Sequence, residues 1–385
     1  SRGLGDVYKR QRIWSRRYCK FFMTFFLNLL YSIWCTERLD YVYSRSNAPK
    51  KFLSYFILLT PLWLVWLLIC GGQYDVGTDY FSYYNIFKSA DISWYADTKA
   101  EWMFTWIVET FRGLGMPPQG LFYVFYSINF FFLCAILHSL KHRTAFLYVL
   151  LYICLSTVFN NQLNGLRQYC AVYIISYAAI SFYDNRSYIR YILFVLLAAG
   201  FHASAYIMIP FVFILGCKKR IGKWMSIGLI TIAVAFSLLG ISDLIMDAVF
   251  DYLPPYYSAY VDGELDISLE GFKRITKFLF VPFYLLAALF CSKNELSAKD
   301  SFLFSIGIIA YSCRLFFLDN FMLNRIGYYF LLLSILPLYV YMKHLYMCYK
   351  GRMWCYCMAA VFLLFYFLKT VLFAEGEYDY QSIYF

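Results

Sequence analysis

The run QGLFYVFYSINFFFLCAILHSL, from Gln119 to Leu140, decides the fold of this 385-residue chain. It contains no Asp, Glu, Lys or Arg, and it is long enough for a helix that crosses the hydrocarbon layer of a bilayer, which takes about 20 residues. Backbone amides in lipid must find their hydrogen-bond partners within the segment, so the run is predicted to be an α-helix.

Comparable apolar runs recur on both sides of this one. The chain is 62% hydrophobic and 15% charged, whereas soluble domains are about 45–50% apolar and about 25% charged. We therefore predict an all-α fold, a polytopic integral membrane helical bundle with about 11–12 transmembrane segments. Their approximate positions are 20–36, 52–70, 119–140, 144–160, 167–183, 188–201, 203–217, 224–242, 275–291, 300–318, 326–346 and 353–374.

Basic residues mark every second connection between these segments. By the positive-inside rule those connections are cytoplasmic, and two longer ones, 71–118 and 243–274, become external loops. The net charge of +11 does not indicate a nucleic-acid partner, because the bases are divided among short loops and form no continuous basic face. The basic connections contain Arg38, Arg45, Lys50, Lys51, Lys141, Arg143, Arg186, Arg190, Lys218, Lys219, Arg220, Lys223, Lys293, Lys299, Lys343, Lys350 and Arg352.

Residues 12–385 are predicted to form a single polytopic membrane domain. Residues 1–11 (SRGLGDVYKRQ) resemble translated adaptor read-through, and we expect them not to belong to the natural protein. The 12 cysteines show neither zinc-ligand spacing nor a disulfide framework. P-loop and Rossmann glycine patterns are not found, so neither a metal nor a cofactor is expected.

The first external loop combines carboxylates with aromatic residues. Asp79 follows a glycine turn, Tyr80 and Tyr84 come next at helical spacing, and Glu101 and Trp102 open an amphipathic stretch. Two interpretations are open. The aromatics form a belt at the membrane interface, or they build a sugar-binding cleft beside the carboxylates.

Further polar residues lie at the outer ends of apolar segments. Asn164, Arg167 and Gln168 crowd one such end. Arg167 is a functional candidate because a charge at the start of an apolar helix is costly unless it is paired; the alternative is an arginine that snorkels to the headgroups. His202 is the one histidine of four on the outer side, where the segments 188–201 and 203–217 read as two half-helices that meet.

Arginines from several segments reach this same depth. Arg274, Arg314 and Arg325 join Arg167 there. Guanidinium groups match phosphate oxygens, so together they predict a diphosphate site. Structural ion pairs with carboxylates such as Glu270 are the other interpretation.

The order and spacing of several short motifs along residues 50–385 resemble the EpsG family, whose members are polysaccharide polymerases of the Wzy type. Members often carry an arginine a few residues before the Gly-Thr-Asp triplet, whereas this chain has Gln73-Tyr74-Asp75 there. The motifs are VGTDYFSYY, EWMFTWIVETFRGLG, NGLRQYCA, FHASA, NRIGYYF and the tail DYQSIYF.

The resemblance implies a glycosyltransferase of the bacterial cytoplasmic (inner) membrane, acting on its outer face. It would join polyprenyl-diphosphate-linked oligosaccharide repeat units of an O-antigen, capsule or exopolysaccharide, without a nucleotide sugar. A chain-length regulator and a flippase are then candidate partners in the membrane.

Within that reaction, Arg167 and Arg325 are expected to stabilise the leaving diphosphate, supported by Arg274 and Arg314. Either Asp79 or His202 is expected to act as the base. Contacts with the sugars are expected from Tyr80, Tyr84, Glu101, Trp102, Asn164 and Gln168.

Two other functions fit the same composition. A flippase or secondary transporter would share the aromatic and basic character, although no internal repeat is evident. An O-antigen ligase would use similar chemistry, but we would expect its key residues in one large external loop.

Overall fold

The computed structural model describes residues 24–43, 52–89, 92, 101–140, 144–217, 220–249, 278–291, 296–318, 320–372 and 380–384. Every regular element longer than a single residue pair in these ranges is a helix, which confirms the all-α prediction. The predictions for residues 1–11, for Arg274 and for most of loop 243–274 lie outside the described residues.

The helices are numbered here in chain order. They are α1 (24–43), α2 (Phe52–Leu58), α3 (Thr60–Trp66), α4 (Tyr80–Lys88), α5 (Trp102–Gly113), α6 (Gln119–Leu140), α7 (Ala145–Cys154), α8 (Val158–Asn161), α9 (Leu166–Asn185), α10 (Tyr188–Phe201), α11 (Phe211–Gly216), α12 (Lys223–Leu238), α13 (Ile241–Val249), α14 (Val281–Cys291), α15 (Ala298–Phe316), α16 (Phe321–Gly327), α17 (Leu331–Ser334), α18 (Leu336–Met347) and α19 (Arg352–Phe367). A π-helical turn, Leu67–Gly71, extends α3, and a 3-10 turn, Ala203–Met208, follows α10.

Three helical runs in the described part of the chain are long and apolar enough to cross a bilayer: Gln119–Leu140, Leu323–Met347 and Tyr349–Thr370. The pair Phe52–Leu58 and Thr60–Gly71 passes the same test together, but it is bent by 55°. Pro61 lies in the first turn of α3 and cannot donate a backbone hydrogen bond to the preceding turn, which explains why the predicted segment 52–70 is broken. The chain is therefore an all-helical membrane protein.

Helix α9 lies at the centre of the bundle. It packs mainly against α6 and α10 and is buried along most of its length. Ala171, Ala178 and Ala179 are buried on it, and such small side chains allow neighbouring helices to approach closely.

The helices run between two polar ends. At the start of α9, the side-chain amide of Gln168 donates to the carbonyl of Arg325 at 3.0 Å. At its other end, Asp184 accepts from Lys299 at 3.0 Å. The end that contains Gln168 and Arg325 is called the site end below, because the candidate residues of the external loop also gather there.

Candidate active site

A single buried carboxylate joins three segments at the site end. Glu101 directly precedes α5 and is 2% exposed. Its Oε2 forms an ion pair with Nη1 of Arg167. Its Oε1 lies 3.2 Å from Nδ1 of His202 and accepts from the backbone N–H of Ala203 at 3.4 Å. This cluster, Glu101–Arg167–His202, is called the catalytic cluster below, after the role that is proposed for it under the proposed function.

Arg167 is the second residue of α9 and extends over an aromatic surface. Its guanidinium carbon is 5.2 Å from the ring centre of Phe104 and 5.5 Å from that of Tyr83. A cation over aromatic faces is stabilised by the ring quadrupole. The side chain is thus held by a carboxylate and two rings, and it does not snorkel to the headgroups.

His202 connects α10 to the 3-10 turn that follows it. Burial lowers the pKa of His202, Glu101 opposes this by favouring the charged ring, and the charges of Arg167 and Arg325 lower the pKa further. The ring is therefore neutral at pH 7. With Nδ1 facing the carboxylate, the tautomer protonated on Nδ1 leaves a lone pair on Nε2 that can accept a proton.

Hydrogen bonds between neighbouring elements bring Arg325 to this cluster. Gln168 holds its carbonyl, as described above, and Arg325 lies close enough for its charge to act on His202. Beside them, the hydroxyls of Ser204 and Tyr329 are 2.8 Å apart. Helices α9 and α16 and the 3-10 turn after α10 are thus fixed relative to one another.

Asp79 is the residue before α4, and its carboxylate does not cap that helix. The backbone N–H of Asp79 donates to Oδ1 of Asn164 at 2.9 Å. The Thr78 hydroxyl lies 3.4 Å from Oδ1 of Asp79. Gly77 has a φ of +72°, which glycine adopts readily. Asn164, predicted as a sugar ligand, therefore holds the Asp79 turn in place.

Tyr83 connects Asp79 to the catalytic cluster. It lies one turn further along α4 and is buried. Burial raises the pKa of its phenol, Arg167 lowers it, and Asp79 and Glu101 raise it. Asp79, Glu101 and Arg167 therefore all lie close enough to Tyr83 for their charges to act on its hydroxyl.

The predicted aromatic ligands have different surroundings. Tyr80 is 2% exposed, stacks on Phe122 and donates from its hydroxyl to Gln119 at 2.8 Å, so its ring supports the loop and is not open to a sugar. Tyr84 is half-buried. Trp102 is 54% exposed and offers an open aromatic face beside the catalytic cluster.

The predicted group of four arginines is only partly brought together. Arg167 and Arg325 both act on His202. Arg314 lies in the last turn of α15, where its charge lies near the phenol groups of Tyr284 and Tyr311. Arg167 and Arg325 are thus the two of the four predicted arginines whose charges act on His202.

A buried polar network supports the turn that presents Arg167. Oε1 of Gln162 accepts from Nδ2 of Asn129 at 3.2 Å and from the hydroxyl of Tyr173 at 3.1 Å. The hydroxyl of Tyr126 donates to the Gln162 carbonyl at 3.1 Å and accepts from Nε2 of Gln73 at 3.1 Å. Hydrogen bonds to both the side chain and the carbonyl of Gln162 thus hold the turn before α9.

Sequence reasoning missed the contact between Glu101 and His202. Glu101 precedes α5 and His202 follows α10, so the two residues are separated in sequence by helices α5 to α10. The one available signal was Glu101 itself, an acid directly before an aromatic amphipathic helix. No group of His, Cys, Asp and Glu suited to a metal occurs within the residues described.

The fold and the site together define a helical membrane protein whose charged cluster lies at one end of the bundle. The EpsG family model matches residues 54–382, and the chain belongs to the EpsG family. That membership indicates a polymerase-type role in polysaccharide biosynthesis. Comparisons with curated proteins and with solved structures returned no match.

Proposed function

We propose that this protein is a glycosyltransferase that joins polyprenyl-diphosphate-linked oligosaccharide repeat units at the outer face of the bacterial cytoplasmic membrane. The observation that carries the proposal is the catalytic cluster, in which a buried carboxylate holds a histidine and an arginine at one end of a helical bundle. Lipid-linked donors present their diphosphate at that depth. Cleavage of the sugar–diphosphate bond supplies the free energy that a nucleotide sugar would otherwise provide.

In this mechanism the anomeric carbon of the donor separates from a diphosphate oxygen, on which negative charge develops. Arg325 and Arg167 stabilise that charge, and groups that bind the transition state more tightly than the ground state accelerate the reaction. Glu101 holds the Arg167 guanidinium in place for this role.

His202 is the base in this proposal. Its Nε2 takes the proton of the acceptor hydroxyl as the acceptor oxygen bonds to the anomeric carbon, and Glu101 orients the ring and stabilises the imidazolium. The proton then leaves with the polyprenyl diphosphate or with water. Asp79 orients the acceptor sugar, since it contributes a half-buried carboxylate from the turn beside Tyr83.

The sidedness of the proposal follows from the two ends of the bundle. Lys299 and Lys343, from basic connections predicted to be cytoplasmic, lie at the end opposite the catalytic cluster. The positive-inside rule supports an external position for the cluster, and the proposal is that of a multi-pass protein. Exposed Trp102 is then available to stack on a sugar ring, and the growing chain, a flippase and a chain-length regulator are the proposed partners.

The experiment is polymerisation by purified protein in liposomes, supplied with polyprenyl-diphosphate-linked repeat units and no nucleotide sugar. A ladder of oligomers on a gel is expected from the unaltered protein. Arg167→Ala and Arg325→Ala should abolish the ladder while the protein still inserts in the membrane. Arg190→Ala is the matched control, because Arg190 is exposed and bonds Tyr177 far from the cluster.

Normal-length polymer from either Arg167→Ala or Arg325→Ala would contradict the assignment of those residues. Movement of intact lipid-linked units across the bilayer without any ladder would identify a flippase instead.

A further inference from the structure

The last described residues of the chain lie along the connection between α3 and α4. Residues 380–384 are called the C-terminal strap here, and residues 71–74 the pivot. The backbone N–H of Tyr74 donates to the carbonyl of Gln381, and that of Ile383 donates to the carbonyl of Gly72, both at 2.9 Å. Gln73 and Ser382 thereby form an antiparallel bridge.

Side chains of the strap add to this docking. The hydroxyl of Tyr380 donates to the carbonyl of Ile69 at 2.7 Å, and that of Ser382 to the carbonyl of Gly72 at 3.1 Å. Carbonyls at a helix end have no partner within the helix, so the strap caps the end of the π-helical turn. The hydroxyl of Tyr384 pairs with that of Tyr123 on α6.

The opposite side of the pivot is held by α6. Nε2 of Gln119 donates to the carbonyl of Gly71 at 2.6 Å and to that of Gln73 at 2.9 Å. Gln119 in turn accepts from Tyr80, as described above. The pivot is therefore clamped between the strap and the start of α6.

The clamped pivot leads directly into the turn that carries Asp79. Between them the chain passes through Gly77 at φ +72° and through Asp75 at φ +50°, a left-handed conformation that is uncommon for a residue other than glycine. Asp79 is anchored at its other side by Asn164. The strap is thus one of two fixed points that define where the Asp79 carboxylate lies.

We infer that the C-terminal strap is a positioning element of the active site, which holds the pivot and through it sets the place of Asp79. The inference rests on the proposed function. The strap residues do not touch the catalytic cluster; they act through the backbone of the pivot.

A matched pair of substitutions at Ile383 tests it. Ile383→Pro removes the N–H that donates to Gly72, whereas Ile383→Ala keeps that bond and shortens a side chain that is 46% exposed. Ile383→Pro should lower kcat for polymerisation about tenfold to a hundredfold, as small displacements of positioned groups do. KM for the donor and the amount of inserted protein should stay near those of Ile383→Ala.

A strap that only stabilised the fold would instead lower protein yield and leave kcat of the inserted protein unchanged. Equal kcat in the proline and alanine variants would therefore overturn the inference.

Hydrogen–deuterium exchange of the peptide that contains the pivot gives a second measurement that needs no activity. Faster exchange in Ile383→Pro than in Ile383→Ala is expected, since the ladder that protects Tyr74 is broken. If the unaltered protein makes no polymer, the proposed function fails, and the exchange result alone decides on the strap. Unchanged exchange would overturn it.

Discussion

Glu101 is the residue on which the local chemistry depends. It was predicted to contact sugar, but its carboxylate is buried and directed at Arg167 and His202. A buried charge is tolerated when opposite charges and hydrogen-bond donors surround it. Glu101 therefore organises the site, and the substrate meets the groups that it holds.

Glu101→Gln tests this organising role. The amide keeps the shape but removes the charge that orients His202, so we expect kcat to fall by about 10²–10⁴-fold, the usual contribution of general-base catalysis. It also leaves Arg167 without its counter-ion, which costs up to about 3–5 kcal/mol for a buried pair and less here, because Arg167 is 20% exposed.

The double variant Glu101→Gln/Arg167→Met separates the two effects. Thermal unfolding in detergent should recover toward that of the unaltered protein, while polymerisation stays lost. Recovery of activity together with stability would contradict the roles proposed for both Glu101 and Arg167.

The acid limb of the rate profile reports His202. The pKa of His202 is lowered from its ordinary value of about 6.5, so the neutral base persists as pH falls. The value of kcat/KM should therefore decline only at pH values below about 6.5. Arg325→Gln removes one of the charges that lower the pKa of His202, so any residual activity should show its acid limb at higher pH. An acid limb that does not move would exclude His202 as the titrating base.

At the scale of elements, the conformation of the turn before α4 depends on the close contact between Gly77 and Asn164 as much as on the backbone preference of Gly77. Gly77 and Gly115 have φ values of +72° and +73°, so alanine would be strained at both by about 1–2 kcal/mol. Only at Gly77 would the new Cβ meet a neighbour, Oδ1 of Asn164 at 2.5 Å, while at Gly115 nothing lies within 4 Å.

Gly77→Ala and Gly115→Ala therefore form a matched pair. Both should lower the unfolding temperature, Gly77→Ala by more, but only Gly77→Ala should reduce polymerisation, by displacing Asn164 and the Asp79 turn. Equal activities of the two purified variants would contradict the proposed role of that turn.

The positions of the helices show which elements could be predicted from the sequence. The run Gln119–Leu140 was predicted at the bounds that it has in the structure, because hydropathy alone decides it. The predicted segments 326–346 and 353–374 differ by up to about four residues from the helical runs Leu323–Met347 and Tyr349–Thr370. The meeting of two short helices at His202 was also anticipated. The break at Pro61 was not, although the proline itself was the signal.

Contacts between distant segments were beyond prediction for a physical reason. The pairing of Glu101 with His202, and of the strap with the pivot, depends on how helices pack, and neither periodicity nor charge patterning encodes that packing. Asn164 was recognised as important for its position, but its partner is the backbone of Asp79. The candidate residues could thus be listed from the sequence, whereas their roles could not.

At the scale of the whole molecule, the far end of the bundle is held by a second buried pair. Nζ of Lys343 on α18 donates to both carboxylate oxygens of Asp300 on α15 at 2.8 Å. Lys343→Met should leave a buried charge uncompensated and destabilise the protein by about 3–5 kcal/mol.

The neutral pair Asp300→Asn/Lys343→Met should recover most of that loss, since two uncharged partners leave no buried charge. Because this pair lies at the opposite end from the catalytic cluster, kcat of the folded fraction should stay unchanged in both variants. Thermal unfolding and polymerisation of the same preparations check the two claims, and a change in kcat would show coupling between the ends that the account does not contain.

The central claim is that one site forms glycosidic bonds at the expense of sugar–diphosphate bonds. The most direct measurement is the amount of polyprenyl diphosphate released for each glycosidic bond formed, in sealed liposomes with radiolabelled lipid-linked repeat units and no nucleotide sugar. One diphosphate lipid is expected per bond, with both products lost together in Arg325→Ala and retained in Arg190→Ala. Redistribution of intact lipid-linked units with no release of diphosphate lipid would contradict it.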